Sequence, residues 1–129
     1  MNLPRFALCA GSVAGGLAVV LGAFGTHALR GALDDRALAI WHTAVDYQFW
    51  HALALLSVGL LARARTDRGL WIAAACFAIG SVLFCGSLYA LATGAARWIG
   101  AITPFGGVAL ICGWIALGVH GWRRTGNPS

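Results

Sequence analysis

Charge is scarce in this chain of 129 residues: 10% of positions are charged, as nine arginines and four aspartates. A soluble domain carries about 25% charged residues. With 60% hydrophobic residues and a mean hydropathy of +0.78, the chain lacks the polar surface needed to cover a soluble core. That shortage excludes a soluble enzyme and a disordered tail. It also excludes a nucleic-acid-binding domain, despite a net charge of +5, because the arginines sit between apolar runs and form no basic face. Internal repeats, linkers and low-complexity tracts are absent as well. Cys9, Cys76, Cys85 and Cys112 fall inside apolar runs, without disulfide or metal-thiolate spacing. Free cysteines placed this way behave as small hydrophobes.

Four long apolar runs are present, over 6–29, 38–62, 69–96 and 98–122, and Asp46 is the one formal charge inside them. A membrane-spanning helix needs about 20 such residues. In lipid every backbone N–H and C=O must be satisfied within its own segment or in a closed barrel, and these runs are far too long for barrel strands. The expectation is an all-α integral membrane four-helix bundle, with residues 1–129 as a single membrane domain. Arg5 could mark the basic flank of a signal peptide, but the first run exceeds the length of a signal core. The residue before Cys9 is too large for a lipoprotein site, so the first helix is expected to be retained. Arg5, Arg63, Arg65, Arg68, Arg123 and Arg124 fall on one side. Arg30, Arg36 and Arg97 fall on the other, beside Asp34 and Asp35. The positive-inside bias then places both termini in the cytoplasm. Trp41 and Trp98 are expected at the outer interface and Trp71 and Trp122 at the inner one, with Trp50 and Trp114 deeper as packing residues.

Glycine is abundant, at 18 residues, and mostly lies within the runs. Gly11, Gly15, Ala18, Gly22 and Gly25 recur at spacings of four and three. Gly106, Ala109, Gly113 and Ala116 do the same and lead to His120; Gly86, Ala90 and Gly94 form a third line. Small-residue stripes let helix backbones approach closely in lipid. Gly22 and Gly25 could also loosen the helix near His27. Pro104 suits a first helical turn, and Asn127-Pro128-Ser129 reads as a short polar tail.

The second run carries the polar side chains. At 100° per residue, Leu38, Trp41, Val45, Phe49, Ala52 and Leu56 share an arc expected to face lipid. His42 and Asp46 share another arc, beside a stripe of Thr43, Tyr47 and His51, so the polar half is expected to face the bundle. Intramembrane ionisable residues are functional candidates by default. Three readings compete. One is a structural hydrogen-bond network, with Asp46 held by His42, His27 or Arg97 and Tyr47 by His51. The second is a metal or haem site from His27, His42, Asp46 and His51, whose ligand types suit Zn, Cu or Fe but whose spacing is loose. The third is a site for a quinone, lipid or protonated solute. His27 is equally an interfacial histidine bonded to loop carbonyls, and His120 a structural or lipid-facing one. Ser87 and Tyr89 follow Gly86, and no sequence feature sets Ser87 beside a histidine.

Four ordered motifs stand out: Leu21-Gly-Ala-Phe-Gly-Thr-His27, Trp41-His-Thr-Ala-Val-Asp-Tyr-Gln48 with His51, Leu83-Phe-Cys-Gly-Ser-Leu-Tyr89, and Ile102-Thr-Pro-Phe-Gly-Gly107 with Gly113-Trp114. Together they resemble the YgdD-like family of small four-span membrane proteins, which has bacterial members, an animal transmembrane relative and no assigned activity. The resemblance implies four spans in the bacterial inner membrane. It marks His27, Thr43, Tyr47, Gln48, His51, Ser87, Tyr89, Thr103 and Pro104 as matching positions, with an acidic residue fitting at Asp46. The chain departs from the pattern at Thr26, His42 and Cys85. The expected protein is therefore a non-enzymatic accessory or scaffold protein of the bilayer, with no cofactor, metal or nucleic acid. A lipid, a quinone, a membrane complex or a second copy is its candidate partner. The alternatives are a metal- or haem-binding redox protein using His27, Asp46 and His51, and a small transporter or channel component.

Overall fold

Short polar residues start the helices, and a glycine ends one of them. A computed structural model of the chain describes residues 1–125, folded as α1 (Leu3–His27), α2 (Asp35–Ala64), α3 (Arg68–Ala92) and α4 (Thr103–Thr125), with a 3₁₀ turn over Arg97–Ala101 before α4. The polar tail at 127–129 lies outside the described residues. Asn2, Asp34 and Asp67 are the N-caps of α1, α2 and α3, accepting from the backbone N–H of Arg5, Ala37 and Leu70. Such a side-chain oxygen satisfies one of the four donors a helix start leaves open. At about 1.5 Å per residue every helix exceeds the roughly 30 Å of bilayer hydrocarbon, and all four are long and apolar enough to cross a membrane.

The third run was expected to stay helical to residue 96 but stops at Ala92. Gly94 takes a positive φ of 92°, its N–H bonds to Leu91 O, and Ala95 N–H reaches back to Ala90 O. This pair of bonds is a Schellman stop, which favours glycine and which hydropathy alone does not register. The fourth run likewise opens as the 3₁₀ turn, and α4 begins only at Thr103, with Pro104 in its first turn as expected. The first helix does not loosen at Gly22 and Gly25; it runs unbroken to His27.

The helices pack in chain order, α1 on α2, α2 on α3 and α3 on α4, while α1 meets α3 only lightly. Their shared core includes Leu3, Leu55, Val58, Leu70, Phe77 and Leu110. Two expected stripes form these seams. On α1, a Cβ added at Gly11 would come within 2.9 Å of Ala52 O, and one at Gly25 within 2.6 Å of the Trp41 ring. On α4, Gly106 lies hard against the Phe84 backbone and Gly113 against the Phe77 ring. The third stripe does not form a seam: a Cβ added at Gly86 would meet nothing within 4 Å, and the close glycine on α3 is Gly80, against Leu110.

The α1 seam overturns the lipid-facing assignment on α2. Trp41 is 6% exposed and Ala52 1%, and Val45 and Leu56 abut Gly22 and Gly11. An apolar arc in a membrane does not announce which way it faces, because lipid tails and a neighbouring helix are equally apolar. Trp41 is accordingly a packing residue and no interface anchor, and Trp50 is half-exposed, not fully packed.

Candidate functional site

Three faces of α2 meet different surroundings, and that divides its polar residues. Gln48 lies on the face between α1 and α3. Its amide nitrogen donates to Ala14 O of α1 at 2.9 Å, and its amide oxygen accepts from the Tyr89 hydroxyl of α3 at 2.8 Å. One side chain thus ties three helices. Two turns away, the Trp41 indole N–H donates to Leu21 O of α1 at 2.9 Å, and its ring meets Tyr89 edge-on, with centroids 4.7 Å apart.

His51 is buried on the α3 and α4 side. Its Nδ1 lies 2.6 Å from Tyr47 O, and its Nε2 lies 3.1 Å from the Trp114 indole nitrogen of α4. Indole N–H only donates, so Nε2 is the acceptor and Nδ1 carries the proton it donates to the carbonyl. The tautomer is therefore assigned by its neighbours. Aromatic rings close around this pair: Tyr47 on Phe84 at 4.5 Å and Trp114 on Phe77 at 5.1 Å. At the end of α3 the Ser87 hydroxyl donates to Phe84 O, so the Thr103 hydroxyl, 2.6 Å away, donates to Ser87 and joins α3 to α4. Among the described residues no histidine pairs with Ser87.

The remaining candidates are not brought in. Asp46, expected on the bundle side, is exposed on the outer face of α2, and among the described residues no ion pair reaches it. Thr43 is exposed and bonds back to Ala39 O of its own helix. His42 is half-buried beside Gly25 of α1, and His27 is exposed at the end of α1. The network expected around Asp46 therefore forms around Gln48 and His51 instead. An acidic group at membrane depth costs roughly 2.5–3.5 kcal/mol on insertion scales, which made Asp46 look like the residue to bury. Among the described residues no three His, Cys, Asp or Glu side chains are placed to hold a metal ion, so His27, Asp46 and His51 do not assemble as one site.

Sequence reasoning missed the two indole donors and the pair formed by Asp67 and His120. A clue existed for the first: an indole N–H inside a span must find an acceptor. His120 is buried, and its Nδ1 lies 2.7 Å from the second oxygen of the α3 cap, Asp67. It is thus a structural histidine, linking the C-terminal part of α4 to the N-cap of α3. The Leu70 N–H, and after it His120, hold the Asp67 carboxyl below its ordinary pKa.

Two clefts flank the network. One of 690 Å³ lies between α2, α3 and α4 and is lined by Tyr47, Trp50, His51, Phe84 and Trp114 among others. The other, of 640 Å³, lies between α1 and α3 above Gln48 and Tyr89. Its wall holds Ser81, whose hydroxyl is the one buried side-chain N or O among the described residues with no hydrogen-bond partner.

The arrangement is similar in sequence to a set of bacterial membrane proteins. UPF0382 membrane protein SERP0230 of Staphylococcus epidermidis is 46% identical over 78% of this chain and 82% of its own length. UPF0382 membrane protein YwdK of Bacillus subtilis is 46% identical over 78% of this chain and 83% of its own. A UPF0382 membrane protein of Haemophilus influenzae is 41% identical over 82% and 85%. No solved structure matches. The family model described as protein of unknown function (DUF423) matches residues 21–107, which contain α2, α3 and both connections around them. This four-helix membrane protein therefore belongs to that family.

Proposed function

We propose that the protein is a non-enzymatic scaffold of the bacterial inner membrane, a single membrane domain with both termini cytoplasmic, that works in a membrane complex or as a homo-oligomer. The observation that carries this reading is the use made of the polar atoms within the spans. Both ends of the Gln48 amide, both nitrogens of His51, and the Trp41 and Trp114 donors are engaged in bonds, nearly all between helices. A catalytic base or a metal ligand needs an atom left open to substrate or ion; these are closed. The four motifs that resemble the YgdD-like proteins fit the same reading, since Gln48, His51, Ser87, Tyr89 and Thr103 all lie in them. The arginine count on the two sides supports the orientation. Gln48→Leu and His51→Ala are expected to lower the melting temperature in detergent while leaving proton and ion flux across liposomes at background. A metal or quinone that protects the wild type against heating, but not these variants, overturns the reading.

A second reading, a lipid or quinone bound within the protein, is favoured by the orphaned Ser81 hydroxyl in the cleft between α1 and α3. It requires a ubiquinone or phospholipid thermal shift that Ser81→Ala abolishes; equal shifts in both proteins reject it.

A further inference from the structure

We infer that the outer stripe of α2 is the surface on which two copies of this chain associate in the bilayer, Asp46 pairing with the same residue of the second copy. This deepens the assembly part of the function proposed above and rests on it.

Ala39, Thr43, Asp46, Trp50, Leu53 and Ser57 are all exposed, and their spacing alternates four and three. That alternation is the repeat of a helix seam that holds a parallel partner. Among the described residues no helix packs over it: α1 and α3 occupy the other faces of α2, and Trp50, Leu53 and Ser57 border the open cleft on the α4 side. The outer faces of the other helices are lined by residues such as Val13, Val82 and Ile111, which lipid tails solvate without loss. Only the α2 stripe carries a carboxyl group. Its depth is fixed by the neighbouring residue: the Tyr47 ring packs on Phe84, well within α3, so Asp46 sits below the headgroups in hydrocarbon. A carboxyl group there is unfavourable unless it is paired or neutral.

Depth and complementarity both favour a second copy. Two chains inserted with the same orientation present identical residues at identical depth, and a two-fold pair brings each stripe against itself. Two carboxyl groups that share one proton are donor and acceptor to each other, so Asp46 supplies its own complement. The nine arginines all lie at helix ends or in connections, so none of them reaches Asp46 from a second copy. Ala39 and Ser57 permit close approach, and Trp50 and Leu53 add contact area.

The test uses the full chain in phospholipid vesicles at low protein-to-lipid ratio, with association read by energy transfer between labelled copies. The wild type is expected to be dimeric. Asp46→Asn is expected to keep the dimer, since an amide is also self-complementary, and Asp46→Leu to raise the dissociation constant at least tenfold. In a chain freed of its own cysteines, Leu53→Cys is expected to cross-link and Val82→Cys not to. A monomeric wild type, an Asp46→Leu protein that associates as tightly, or cross-linking at position 82 in place of 53 overturns the inference. So does a wild type that pairs only with a basic helix of another protein. Asp46 is exposed on the outer face of α2, so an unchanged melting temperature of the Asp46→Leu monomer separates this failure from failure of the inner network, which Gln48→Leu reports.

Discussion

His51 and Asp46 lie five positions apart on one helix and have opposite situations. The imidazole has an acceptor at one nitrogen and a donor at the other, while the carboxyl group has no ion pair among the described residues. Replacing Trp114 by Phe keeps the ring against Phe77 but removes the indole donor to His51 Nε2. Interhelical bonds of this kind average about 0.6 kcal/mol in a measured membrane protein. Trp114→Phe is therefore expected to lower stability in detergent by about that much, with a new nitrogen NMR signature at the freed Nε2. An unchanged His51 spectrum would show that the bond is not made. The polarity of the second run was legible from its residue types, and Gln48 and His51 were among the candidates. Which polar residue faced inward was not legible, because the helical period orders the faces of α2 without saying where α1, α3 and α4 stand around it.

The seams between elements depend on backbone proximity that only glycine permits. Gly106→Ala forces a methyl group into the backbone of α3 at Phe84, and overpacking of this sort costs about 1–3 kcal/mol. Gly86→Ala, on the open side of α3, is expected to be neutral or to gain up to about 1 kcal/mol from helix propensity. Melting temperatures of the two variants should thus move apart, although the sequence set both residues in small-residue lines. Position in a stripe was visible in the sequence; the partner that makes a stripe a seam was not. At the far end, the Asp67 cap joins α3 to His120 of α4. Because its folded pKa is depressed, its contribution is complete above about pH 4, the unfolded value, and is lost as pH falls through the lower folded value. Asp67→Asn keeps the capping oxygen but no charge, so its melting curve is expected to lose the acid-side decline of the wild type. The effect is small because the carboxyl group is 40% exposed and so screened by solvent.

At the scale of the whole molecule, composition and run length were enough for four helices in a bilayer, since lipid leaves the backbone few choices. The helix ends were harder: the stop at Gly94 depends on a left-handed turn, not on hydropathy. The packing in chain order leaves clefts on either side of the network and an exposed polar stripe on α2, features that belong to the arrangement and to no single run. What makes the arrangement one unit is the chain of bonds from Ala14 through Gln48 to Tyr89, and from Tyr47 through His51 to Trp114. A double-mutant cycle of Gln48→Leu and Tyr89→Phe, followed by reversible unfolding in detergent, tests that claim most directly. A favourable coupling of about 0.6–1.7 kcal/mol is expected, the average-to-maximum range measured for such bonds in a membrane. Effects that simply add, within about 0.3 kcal/mol, would contradict it.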